Sequence, residues 1–178
     1  MTEQTPEFSR IVSVARIPPK GIEEHLEAKP SEREALAKRF DLIDLPMLKA
    51  HLTLTPGSQQ TIEATGTIEA EVHQRCVVSL ETVANRLRID VDTVFIPSDE
   101  GQPAKPPSDE LEEEFEFFAG GKIDLGEMVA QTLGVNLDPY PRKADAELKK
   151  NEFGPKAENV RPFESLQATI KTNKNKGK

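Results

Sequence analysis

The sequence predicts an α+β fold: an antiparallel sheet of about five or six strands with two helices packed against it. Three observations point there. Residues 48–54, 62–72 and 87–95 alternate apolar and polar with period two, the mark of a sheet with one wet face. Two other stretches open with helix-start signals and continue with apolar residues at helical spacing. The long strands follow one another directly, which suits an antiparallel meander rather than a βαβ alternation.

The elements follow in chain order. "FSRIVSVARI" is β-branched and apolar, and it reads as a strand over about 8–16, interrupted by Pro18 and Pro19. "GIEEHLEA" alternates through Ile22, Glu24, Leu26 and Ala28, a short second strand. "PSEREALAKRF" carries Ser31 and Glu34 at capping-box spacing, so a helix is expected over 31–40. In "MLKAHLTLTP", Leu48, Ala50, Leu52 and Leu54 share one side of a strand, and Pro56 and Gly57 turn the chain. "TIEATGTIEAEV" places Ile62, Ala64, Gly66, Ile68, Ala70 and Val72 on one face. "RLRIDVDTVF" does the same with Leu87, Ile89, Val91 and Phe95. Arg86 and Arg88 on the wet face would then oppose Glu63, Glu69 and Glu71.

Residues 98–113 are rich in proline and acid and read as a mobile loop. "FEFF" is a brief further strand, and "AGGK" a strand-to-helix turn. The second helix, over 124–137, has Asp124 and Glu127 as its capping box and Leu125, Met128, Val129, Leu133 and Leu137 as its stripe. Pro139 and Pro141 stop it. The expected organisation is therefore a flexible 1–7, one α+β domain over 8–141, and a largely flexible extension over 142–178. Within that extension Phe163, Leu166 and Ile170 suit a short amphipathic turn. The N-terminal strands could complete a barrel-like curl of the sheet.

Composition narrows the function. Charged residues make up 30% of the 178 and apolar ones 36%, with a formal net charge of -8. Such a chain is repelled by bare phosphate backbone, so any nucleic-acid contact must be local. A single cysteine excludes an intramolecular disulfide and fits a reducing compartment. "MTEQTPEFSR" has no apolar core of a secretory signal, and no apolar run approaches the ~20 residues of a membrane helix. The expectation is a cytoplasmic protein with no membrane association.

"HQRC" holds that cysteine, Cys76, three residues after His73. Half a zinc site would look like this, but a structural site needs four ligands, and no second pair is spaced for chelation. His25 and His51 fall on separate strands. A Cys/His nucleophile needs a base in reach, and side chains three apart on a strand diverge. The residues are read instead as the end of a strand, with Cys76, Val77 and Val78 closing the core. No phosphate-binding glycine motif is present, and Asp124 occupies the helix N-terminus that an anion would need. No cofactor, metal, catalytic residue or small-molecule substrate is indicated.

The order of features is informative: an alternating strand ending in Gln74, Arg75 and Cys76, an acidic loop, "KIDLGEMVAQTLGVNLDPYPR", and a final "RPFESL". Over roughly residues 45 to 170 this resembles the YceD-like family, the large ribosomal RNA subunit accumulation proteins, and most closely an alphaproteobacterial branch. Many members end the strand in C-x-x-C, and here His73 stands at the first cysteine position. Ile123, Asp124 and Leu125 match the family's I-D-L. Pro162, Phe163 and Leu166 match its N-P-F-x-x-L, with Arg161 in place of Asn. The resemblance implies a non-enzymatic factor that supports 23S-type rRNA accumulation and processing, and hence ribosome biogenesis, by binding. The implied partners are a ribosomal protein or rRNA-processing factor, and 23S-type rRNA itself. Candidate contacts are Gln74, Arg75, Cys76, Arg86, Arg88, Arg142, Lys143, Arg161 and Phe163. An acidic adaptor unrelated to rRNA is one alternative, and a cysteine-dependent enzyme another.

Overall fold

Alternation builds the centre of the molecule. In the computed structural model, which describes residues 6–98 and 114–146, the chain forms β1 (Ile11–Ser13), β2 (Ile22–Glu27), α1 (Pro30–Arg39), β3 (Asp44–Pro56), β4 (Ile62–Arg75), β5 (Thr82–Pro97), β6 (Glu114–Phe118), β7 (Lys122–Asp124) and α2 (Leu125–Asn136). Strands β2-β3-β4-β5-β6 make a five-stranded sheet, and β1 pairs with β7 in a separate ribbon. The expectations for residues 1–5, 99–113 and 147–178 lie outside the described residues. The described residues form one compact unit.

The β2-to-β5 meander is antiparallel throughout, with Leu52 opposite Gly66 and Gly66 opposite Val91 at its centre. The predicted inward residues of β3 and β4 are buried except Gly66, which is half-buried, and so are Ile89, Val91 and Phe95 of β5. Helix α1 packs on β3, and α2 on β4 and β1. Leu36, Leu125, Met128, Val129 and Leu133 complete this core. Each buried leucine contributes roughly 1.5–3 kcal/mol, so one continuous apolar layer holds sheet and helices together. Among the described residues no helix packs on the other face of the sheet, and its outward residues Glu23, His25, Glu27, Lys49, His51, Glu69, Arg86, Arg88, Asp90 and Asp92 are exposed.

Four details of the strand arrangement and the first helix differ from the sequence-based expectation. The sheet is not wholly antiparallel, because β6 runs parallel to β5, with Val94 opposite Phe115. Period-two alternation carries no sign of strand direction, and residues 98–113 are long enough to return the chain to the start of the pairing. The sheet does not close into a barrel. Its edges are β2 and β6, and β1 leaves it for β7. The strand expected over 8–16 is only three residues long, since β7 offers only Lys122–Asp124 to pair with and a 3-10 turn follows at Val14–Arg16. Helix α1 begins at Pro30, so Ser31 is inside the helix and does not cap it. The Glu32 carboxylate instead accepts from the Lys29 N–H at 2.7 Å. Proline at the first helical position sets that start.

Asp124 does cap α2, accepting from the N–H groups of Gly126 at 3.0 Å and Glu127 at 3.3 Å. Glu127 does not reach back to complete the box. It pairs in both positions with Arg39 of α1, at 2.8 and 3.0 Å. The Arg39 guanidinium, bonded to Glu127, holds that carboxyl below its usual range. Arg39 also reaches Glu7 at 3.0 Å, so one guanidinium ties the N-terminal segment, α1 and α2.

Candidate functional site

Strand parity decides the HQRC question. The inward series of β4 runs on through Val72 and Gln74 to Cys76, all buried. His73 is an odd step away and lies on the other face, its Nε2 3.7 Å from Glu71 Oε1. His73 and Cys76 therefore do not converge on a common ligand or substrate.

The sulfur has a different environment. Cys76 and Glu81 close the β4–β5 turn through the Cys76 N–H to Glu81 O hydrogen bond at 2.8 Å. Inside it, Sγ accepts from the N–H groups of Ser79 at 3.3 Å, Val78 at 3.4 Å and Lys143 at 3.5 Å. Burial opposes ionisation, but hydrogen bonding from Ser79, with the Lys143 and Val78 amides, pulls the thiol down to about 6. A folded-state pKa below the unfolded one makes the ionised sulfur stabilising at high pH, and this is lost as pH falls through about 6. The stability difference between wild type and Cys76→Ser should therefore widen from pH 6 towards pH 9, as read by urea denaturation at each pH. A native thiol reagent should react slowly despite the low pKa, because Cys76 is buried. A flat pH dependence together with rapid labelling would reject this picture.

The segment after α2 docks on the same turn. Gln74 Nε2 donates to Asp138 O at 2.9 Å. The Val77 N–H donates to Pro141 O at 2.9 Å, and Lys143 Nζ pairs with Glu81 at 3.0 Å. Since a carbonyl oxygen must accept, the Gln74 amide orientation is set by Asp138, leaving Oε1 buried without a partner among the described residues. Gln74, Arg75, Cys76, Arg142 and Lys143, distant in sequence, thus share one end of the molecule. Its surface presents Arg75 and Arg142, both exposed, beside the exposed side chains of Val77, Leu80 and Tyr140.

Arg86 and Arg88 sit elsewhere, on the open sheet face. Register places Arg86 opposite Glu71 and Arg88 opposite Glu69, with ion pairs of 3.0 and 3.4 Å. Glu63 lies opposite Val94 rather than an arginine. The next row joins Glu27, Lys49, Glu69 and Arg88 across four strands. Asp90 and Asp92 carry no cationic partner among the described residues, so the face keeps an acidic surplus around its neutralised arginines. Arg161 and Phe163 lie outside the described residues.

Sequence reasoning missed one cluster. His25 and His51 are direct cross-strand partners of β2 and β3, with ring centroids 3.9 Å apart. Alternation places both on the wet face, but only the β2–β3 register makes them neighbours.

No helix among the described residues is long and apolar enough to cross a membrane. Neither a curated protein nor a solved structure matches the chain significantly. A family model described as large ribosomal RNA subunit accumulation protein YceD matches residues 64–171, from within β4 through the β4–β5 turn and α2. That match takes in well over half of the chain, with the Gln74–Arg75–Cys76 strand end and the Asp124 helix cap inside it, and the protein belongs to the YceD family of large ribosomal RNA subunit accumulation proteins.

Proposed function

We propose that this protein supports large-subunit rRNA accumulation by binding rather than catalysis, and that it engages a basic protein partner through the open face of its sheet. The partner is a ribosomal protein or an rRNA-processing factor acting in the cytoplasm. The observation that carries this reading is the ionic state of that face. Arg86 and Arg88 are held by Glu71 and Glu69, which leaves Glu63, Asp90 and Asp92 exposed to solvent. Complementary charge steers such encounters and suppresses wrong partners. The same arrangement disfavours a phosphate backbone on this face.

A second reading rests on the turn end. Arg75 and Arg142 beside Tyr140 combine cations with an aromatic ring, the chemistry that meets unpaired RNA bases. Few phosphates would be neutralised, so direct binding should have a shallow salt dependence, about 0.7 to 0.9 per contacted phosphate.

Deletion of the gene should lower large-subunit relative to small-subunit rRNA, measured from total RNA. Affinity capture on the full chain should retain a basic ribosomal protein or processing factor after ribonuclease treatment, and the double charge reversal Asp90→Lys, Asp92→Lys should release it. Capture abolished by ribonuclease and by Arg75→Glu, with the aspartate variant unaffected, would favour the RNA reading. An unchanged rRNA ratio in the deletion strain would reject the functional assignment.

A further inference from the structure

We infer that Glu23, His25 and His51 form a divalent transition-metal site of the zinc class on the exposed face of β2 and β3. One ligand atom from each residue lies within 4.8 Å of the other two. The placement follows from the sheet. His25 and His51 are opposite one another in the β2–β3 ladder, and Glu23, two residues before His25, is diagonal to His51. Direct and diagonal neighbours on one face of an antiparallel pair are within reach of long side chains. The Glu23 carboxylate is 4.0 Å from His51 Nε2, and the two imidazole rings are 3.9 Å apart and tilted by 32°.

The donor set fits the ion. Zinc accepts imidazole nitrogen at about 2.0–2.1 Å and carboxylate oxygen at about 2.0–2.2 Å, so three converging donors need only small adjustments of exposed side chains. Two imidazoles and one carboxylate select zinc, copper or nickel over magnesium or calcium, which prefer all-oxygen shells. Three ligands leave a fourth position to water or to a donor from another molecule. The backbone under the site is rigid, being the ladder itself. Two cations that line the same groove as His25 and His51 are already paired, Lys49 with Glu27 at 3.3 Å and Arg88 with Glu69 at 3.4 Å, which offsets their repulsion of an incoming ion. Neither Cys76 nor His73 takes part.

The test is zinc binding by calorimetry, with metal content after dialysis, on the tag-free full chain and on His25→Ala, His51→Ala and Cys76→Ser. Wild type and Cys76→Ser should each bind one zinc per chain, and zinc should raise their melting temperatures. Each histidine variant should bind at least about 100-fold more weakly, because even an outer-shell partner is worth 10–100-fold. Both variants alter exposed side chains, so their metal-free melting temperatures should match wild type. No zinc bound by wild type in excess zinc chloride, or zinc retained by both histidine variants, would overturn the inference.

Discussion

Gly66→Ala is expected to destabilise the protein by about 3 kcal/mol or more, a large part of the roughly 5–15 kcal/mol that holds a domain folded. Gly66 is at the centre of β4 with φ at 154°. A Cβ there would stand 2.0 Å from His51 O and 2.9 Å from Leu52 Cα. Both obstacles are backbone of β3, held in the ladder on either side, so no rotamer change relieves the clash. The two strands would have to separate in the middle of their ladder, between the buried Leu52 and Val91. Gly120→Ala is the informative comparison. Nothing lies within 4 Å of its Cβ position, and only the left-handed φ of 63° resists the change, a penalty of about 1–2 kcal/mol. Urea denaturation midpoints should rank wild type, Gly120→Ala and Gly66→Ala in that order, with Gly66→Ala far below. Loss of under about 1 kcal/mol at Gly66 would mean that the strands do not approach so closely.

Asp124→Ala is expected to cost about 3 kcal/mol and to loosen the N-terminal ribbon before the sheet. One carboxylate serves four donors. Oδ1 accepts from the Arg10 N–H at 2.7 Å as well as from the first turn of α2, and Oδ2 accepts from the Ser9 hydroxyl at 2.5 Å. A helix cap alone is worth about 1 kcal/mol. The remaining donors, part-buried and left without an acceptor, add about 1–3 kcal/mol. Hydrogen exchange should show early loss of protection at residues 9–13 and at the start of α2, while β3 and β4 keep theirs. Asp124→Asn retains an acceptor oxygen and should fall between Ala and wild type. Uniform loss of protection across the sheet would show that Asp124 supports the whole fold rather than the junction of β1 with α2.

These two positions show how unevenly the sequence discloses its structure. Asp124 was legible as a cap because a side chain bonding two and three residues ahead is local chemistry. Its hold on Ser9 and Arg10, more than a hundred residues away, was not. Glu127 was assigned to the same cap, yet a better partner, Arg39, arrives only when α1 packs beside α2. Gly66 was legible as one more inward position of β4. That it must be glycine depends on how closely β3 passes beneath it.

What the sequence determined by itself is what periodicity and local bonding encode. The three long strands, their inward faces, both helices and the opposition of Glu69 and Glu71 to Arg88 and Arg86 all follow from alternation, spacing and short-range pairing. The divergence of His73 from Cys76 belongs here too, because parity along one strand is a local property. Only the tertiary structure decided the direction of β6, the open edge of the sheet, the pairing of β1 with β7, the docking of residues 138–143 on the Cys76 turn, and the meeting of Glu23, His25 and His51. Each of these depends on which segments become neighbours across long stretches of chain. Burial of a whole apolar layer selects those neighbours, and no short window of residues contains that information.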